Sequence, residues 1–132
     1  MEFFRRLLVL AALALLAAIV VLAVGGWRHD REQAPRAVGN FVALVGSAGP
    51  TAFGRHTACG GIIASETLGI AHPTLPCGAR IYITFHGLRV LTAVIDRGPY
   101  EAGRQFDVTD ALARRLGLQG VQSVHWSYAG TP

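Results

Sequence analysis

From Leu7 to Val24 every residue is apolar, and Gly25, Gly26 and Trp27 extend the uncharged run to 21 residues. At about 1.5 Å per residue a helix of that length reaches roughly 30 Å, the thickness of a bilayer's hydrocarbon core. The run reads as an N-terminal transmembrane or signal helix over residues 1–27. Cleavable signals carry a shorter apolar core of about 7–15 residues ending in small residues, and Val21-Leu22-Ala23 is only a passable cleavage site. A retained signal anchor is therefore the first expectation, a cleaved signal the second and a buried core helix the third. Arg5 and Arg6 favour a cytoplasmic N-terminus with the remainder outside. Arg28, Arg31 and Arg36 on the far side oppose this, diluted by Asp30 and Glu32. Residues 28–40 are polar, contain Pro35 and Gly39, and read as a linker.

The remaining residues, 41–132, form one domain whose pattern changes to short β periods. Phe41 to Val45 suits a first strand, and Gly-rich turns joining very short strands are expected from Gly46 to Gly61. Ile81 to Phe85 alternates apolar and polar positions, predicting a strand with one buried face. His86-Gly87 turns the chain into a second strand, Arg89 to Ile95, which Gly98-Pro99 stops because a ladder cannot continue through that pair. Phe106 to Val108 is a short strand. Thr109 then caps a helix from Asp110 to Leu116 that Gly117 closes, with Asp110 at its start and Arg114 and Arg115 at its end suiting the dipole. Val121 to Tyr128 is the last strand. Some six short strands with one small helix predict a closed β-barrel, which leaves no edge exposed.

Charge narrows the partners. All 12 basic residues of the chain are Arg, against 8 acids, and within the domain seven Arg face five acids. No basic run or nucleic-acid motif occurs, so no nucleic-acid partner is expected. Apolar content of 52% at low charge excludes a disordered chain. Cys59 and Cys77 are the only thiols and cannot alone supply four metal ligands. In an exported domain they are expected to pair, which the loop-entropy relation values at about 3 kcal/mol for a loop of this size.

Proton-transfer chemistry needs an acid or base, and the domain offers only Glu66, Asp96, Glu101, Asp107 and Asp110. Glu66 and Glu101 sit in polar turns, and Asp110 belongs to the helix start. Asp96 and Asp107 adjoin apolar strands, where desolvation raises a carboxyl pKa as a general acid requires. Each could equally be a structural Asp accepting backbone N–H groups. His72 lies between turn residues in Ala71-His72-Pro73-Thr74-Leu75-Pro76, and reads either as a site residue or as a structural hydrogen-bonder. His29, His56, His86 and His125 show no paired metal-ligand spacing, so neither a metal nor a cofactor is expected.

Three stretches together resemble the rare lipoprotein A-like family. They are Thr57-Ala58-Cys59-Gly60; Leu68-Gly69-Ile70-Ala71-His72-Pro73-Thr74-Leu75-Pro76-Cys77-Gly78; and Val94-Ile95-Asp96-Arg97-Gly98-Pro99-Tyr100. Gly103-Arg104, Phe106-Asp107-Val108-Thr109 and Leu116-Gly117 continue the likeness in order, over roughly residues 51–128. The resemblance implies a six-stranded double-psi β-barrel, shared with expansin-like domains, and a disulfide of the kind found in a secreted subgroup. It implies a lytic transglycosylase that cuts peptidoglycan glycan strands in cell-wall remodelling and forms a 1,6-anhydro product.

In that reaction the muramic C6 hydroxyl attacks within the same sugar, so one acid can protonate the leaving oxygen and later take the hydroxyl proton. By resemblance Asp96 is that acid and His72 its neighbour. Arg97, Gly98 and Tyr100 line the groove, Arg97 meeting carboxylates of the wall polymer, and Asp107 is structural. Three departures bear on activity. Gly61 stands where septal relatives often carry Glu, Ile95 replaces the usual Asn before Asp96, and Leu44-Val45 stand where the family's aromatic opening is found. These departures leave a non-catalytic, expansin-like peptidoglycan-binding module as the alternative, and a structural partner of an envelope assembly as a third reading.

Overall fold

The computed structural model describes residues 1–26, 34–99 and 101–130, with the backbone alone over 21–26. Contacts divide the chain into two units, Met1–Ala34 and Pro35–Pro132. In the first, α1 spans Glu2–Gly26, and its Glu2–Val20 part is long and apolar enough to cross a membrane, with mean hydropathy 2.3.

The second unit contains β1 (Ala37–Ser47), β2 (Ile70–Ala71), β3 (Arg80–Phe85), β4 (Leu88–Asp96), β5 (Phe106–Val108), α2 (Asp110–Leu116) and β6 (Gln122–Ala129). The six strands close into a barrel in the order β1-β5-β2-β4-β3-β6. Pairs β1–β5 and β2–β4 are parallel and the others antiparallel. This is the double-psi barrel with one short helix that the resemblance implies.

Local chemistry explains most boundaries. His86 and Gly87 both take positive φ, 46° and 81°, the requirement of the two-residue turn whose twist matches β3 and β4. At α2 the Thr109 hydroxyl accepts the Leu112 N–H at 3.4 Å. Gly117 ends the helix in the left-handed region, where its lack of Cβ removes the strain. Val45, Ile70, Ile81, Ile83, Val94, Phe106, Val108, Leu112, Leu116 and Val124 form the core, each almost fully buried. Placing α2 against this core closes the barrel with Leu112 and Leu116.

Three features differ from the pattern reading. First, β1 begins at Ala37, inside the stretch read as linker, because residues 37 and 38 pair with Ala129 and Tyr128 of β6. The register shift between Val38 and Phe41 uses Gly39, whose φ is 83°. Residues 28–33 of that linker lie outside the described residues. Second, β2 has two residues, too few for any period to show, yet it joins β4 to β5. Third, β3 is buried on more than its alternating face. Tyr82 is also covered, since its hydroxyl donates to the Pro35 carbonyl at 2.7 Å and the Arg89 guanidinium lies 3.9 Å from its ring centre.

Candidate functional site

Strand register brings two carboxylates to either side of β2. Ala71 pairs with Asp96 of β4 on one flank and with Asp107 of β5 on the other, and Asp107 in turn pairs with Gly46 of β1. Asp96, Asp107, Ala71 and Arg55 help to line one crevice of about 10 Å³, room for no more than a single water. It is far narrower than a sugar ring.

The two aspartates have unlike surroundings. Asp96 Oδ1 accepts the Ala58 N–H at 2.8 Å and the Arg97 N–H at 2.9 Å, and Oδ2 accepts Arg55 Nη2 at 3.1 Å. All three partners are donors, so the side chain serves only as an acceptor. It remains 12% exposed. Asp107 Oδ2 meets Arg104 Nη2 at 3.3 Å, whereas its Oδ1 is buried with no hydrogen-bond partner. Burial pushes the Asp107 carboxyl above the usual aspartate range and Glu101 adds to that, against the pull of Arg104 and of the Gly46 backbone N–H. Gly46 permits this close approach, since a Cβ there would stand 2.9 Å from Asp107 Oδ1.

His72 is built into a turn. Its Nδ1 accepts the N–H groups of Thr74 at 3.1 Å and Leu75 at 3.0 Å. That geometry assigns the neutral ring with its proton on Nε2. Desolvation, and then the nearby Arg97 charge, lower the pKa in the same sense. The backbone N–H of His72 donates to the Asp96 carbonyl at 3.1 Å. Among the described residues, no hydrogen bond joins the imidazole to the Asp96 carboxylate. His72 therefore offers the site a donor at Nε2.

Arg97 is committed elsewhere. Nη1 donates to the carbonyls of His72 at 3.2 Å and Leu75 at 2.8 Å, and Nη2 lies 3.4 Å from Cys77 Sγ. The guanidinium thus clips the 72–77 turn to the end of β4. Gly98 is buried with φ 113°, and Tyr100 lies outside the described residues.

Cys59 and Cys77 form a disulfide with Cα atoms 5.5 Å apart. It ties the loop carrying Ala58 to the turn carrying His72. The Ile63 N–H to Arg55 carbonyl bond of 3.0 Å and the Thr57 N–H to Gly61 carbonyl bond of 3.0 Å brace that loop further. Ile95 has a packing reason: it lies over Gly69, where a Cβ would collide with its Cδ1.

Arg55 is the residue that sequence reasoning missed. It carries no periodic signal, and only its place two residues before the Thr57-Ala58-Cys59-Gly60 stretch hints at the site. The buried, half-paired state of Asp107 was equally hidden, because it depends on register with Gly46 and Ala71.

Known proteins share this barrel. A solved Streptomyces papain inhibitor is 18% identical and matches with a TM-score of 0.55 over 72% of this chain and 98% of its own, a likeness of fold. The endolytic peptidoglycan transglycosylase RlpA of Yersinia pestis is 39% identical over 79 residues, 58% of this chain and 22% of that protein. The probable endolytic peptidoglycan transglycosylase RlpA of Synechocystis sp. is 39% identical over 72 residues, 53% of this chain and 22% of its own length. The chain thus spans about a fifth of the length of these relatives (a ratio that leaves most of each relative unmatched). The family model described as lytic transglycolase matches residues 46–128, from the end of β1 to the end of β6, and the chain belongs to that family.

Proposed function

We propose that the barrel is a lytic transglycosylase acting on peptidoglycan glycan strands, with Asp107 as the proton-carrying group and Asp96 as the fixed anion opposite it. The observation that carries this reading is the pair of aspartates flanking Ala71, one with every partner a donor and one with a buried, unpartnered oxygen and a raised pKa. Two carboxyls with unlike surroundings divide the roles of proton donor and charge. This assignment moves the acid from Asp96, which the family motif suggested, to Asp107.

In the proposed step Asp107 gives its proton, relayed by the one water that the crevice admits, to the glycosidic oxygen as the bond from the muramic C1 breaks. The muramic O6 bonds to C1, and its proton returns to Asp107. No water is consumed, which explains how one acid can serve where ordinary glycosidases need two carboxyls. Asp96 supplies negative charge near the cation-like C1, and His72 Nε2–H is a donor for a sugar oxygen. Gly98 and Tyr100 continue the motif past Asp96 and are proposed to border the sugar. The 1–27 segment is proposed to hold the barrel outside the cytoplasmic membrane, in the cell envelope, or to be removed on export.

The test incubates the full chain in detergent with purified peptidoglycan and assays released muropeptides by mass spectrometry. Anhydro-muropeptides are expected; their absence from intact and peptide-stripped strands would refute the enzyme. A second reading, a non-catalytic glycan-binding module, is favoured by the narrowness of the crevice and by Gly61. It expects glycan binding that survives Asp107→Asn with no product.

A further inference from the structure

We infer that Arg55 forms a carboxylate-binding subsite at the mouth of the aspartate crevice, selecting anionic, muramic-type strands over neutral ones. The inference rests on the transglycosylase reading and names the substrate group that this site recognises.

A mouth that holds the Asp96 carboxylate repels a polymer bearing carboxylates unless a cation offsets it. Three arginines stand near enough to be candidates. Arg97 spends its guanidinium on the His72 and Leu75 carbonyls. Arg104 is held between Glu101 at 2.8 Å and Asp107 at 3.3 Å, its side chain only 17% exposed. Arg55 differs from both. Its side chain is 58% exposed, and its one side-chain partner among the described residues is Asp96, through Nη2.

Among the described residues Nε and Nη1 have no acceptor, and Nη2 keeps a second N–H, so one two-donor edge of the guanidinium stays open. A guanidinium presents its donors in a planar fork that matches a carboxylate with two parallel bonds. Asp96 fixes one edge of the fork, so less rotamer freedom is lost when a ligand takes the other. The loop is equally constrained: the Gly54 N–H to Ile63 carbonyl bond of 2.8 Å, the Ile63 N–H to Arg55 carbonyl bond and the nearby disulfide hold its backbone. Arg55 also lines the crevice together with Asp96 and Asp107, so a carboxylate bound there sits beside the reacting sugar.

Two carboxylates of the wall polymer fit this chemistry, the lactyl group of a muramic residue freed of its peptide and the acidic groups of an attached stem peptide. The experiment separates them with three soluble probes: intact strands, peptide-stripped strands, and peptide-stripped strands whose carboxyls have been amidated. Dissociation constants and rates of anhydro product release are measured for the full chain and for Arg55→Gln and Arg55→Lys. Arg55→Gln is expected to weaken strands bearing carboxylates about tenfold, the scale of one charge-assisted contact. Amidated strands bind wild type and variant alike, and Arg55→Lys recovers part of the loss. Loss on stripped strands assigns the lactyl carboxylate, and loss confined to intact strands assigns the stem peptide. Equal weakening of all three probes overturns the subsite, because Arg55 then acts only through Asp96. An unchanged affinity overturns it too. If Arg55→Gln fails to fold, wild type alone decides, since equal affinity for intact, stripped and amidated strands rejects the subsite. Product release without charge preference removes the subsite and leaves the enzyme; charge preference without product keeps the subsite and removes the enzyme.

Discussion

The surroundings of Asp96 and Asp107 differ although both carboxylates flank the same short strand. Asp96 lies where two chain segments meet and three donors converge: the Ala58 N–H and the Arg55 side chain from the disulfide-tied loop, and the backbone N–H of Arg97. Asp107 lies on β5 between β1 and β2, where backbone pairing engages most amides. Among the described residues Arg104 bonds one of its oxygens and the other has no full hydrogen bond, with the Gly46 N–H alone pulling on the carboxylate from the backbone. Loop backbone has spare N–H groups to offer a carboxylate, whereas a strand flanked on both sides has few. A carboxyl at a loop junction thereby becomes a structural acceptor, and one inside the ladder is more readily protonated. The same contrast explains why family motif and local chemistry point to different acids.

The largest expected effect breaks this comparison at Asp107. Asp107→Asn removes the ionisable group while keeping its shape, and a lost general acid costs about 10²–10⁴-fold in rate. Anhydro-muropeptide release is expected to fall by that factor while the melting temperature at neutral pH holds or rises. The linkage gives that sign: a carboxyl whose folded pKa is raised contributes stability below its ordinary value of 3.8, and that contribution is lost as pH rises through the raised value.

Next in size is the tie on the Asp96 side. Replacing Cys59 and Cys77 together by Ala is expected to destabilise the barrel by about 3 kcal/mol, read by denaturant unfolding. A loss under about 1 kcal/mol would mean that the hydrogen bonds of the 54–63 loop suffice.

His72 sharpens the comparison further. His72→Ala removes the acceptor of the exposed Thr74 N–H and the half-buried Leu75 N–H, at a cost of about 0.5–1.5 kcal/mol, and Asn should restore part of it. Because the folded pKa is lowered, the histidine's contribution is present above its ordinary value of 6.5 and is lost as pH falls through the folded value. Stability of the His72→Asn variant is expected to decline less on acidification, as thermal melting across that range would reveal.

The smallest effect concerns support behind the site. Thr109→Ala removes the acceptor for the Leu112 N–H and for the Gly69 N–H at 3.3 Å. About 1 kcal/mol of stability is expected to go, with rate little changed.

Much of the barrel was legible in the sequence because its signals are local. The alternation at 81–85, the His86-Gly87 turn, and Thr109 and Gly117 at the ends of α2 each need only their neighbours. β2 was not legible: two residues cannot show a period, and Ile70 and Ala71 become a strand through β4 and β5. The first residues of β1 looked like linker because they are small, polar or glycine, and only pairing with β6 orders them. At the site, the motif brought Asp96, His72 and Arg97 to notice but not their partners. The Nδ1 bonds of His72 and the carbonyl contacts of Arg97 are tertiary facts, as is the half-paired state of Asp107, which depends on register with strands distant in sequence.

One titration tests the division between the two aspartates most directly. The carboxyl carbon of Asp107 can be followed by NMR in isotopically labelled full-length protein, assigned by its loss in Asp107→Asn. A midpoint clearly above the ordinary aspartate value of 3.8 is the expected result. A midpoint at or below it would leave Asp107 with no proton to give and would contradict its role as the acid.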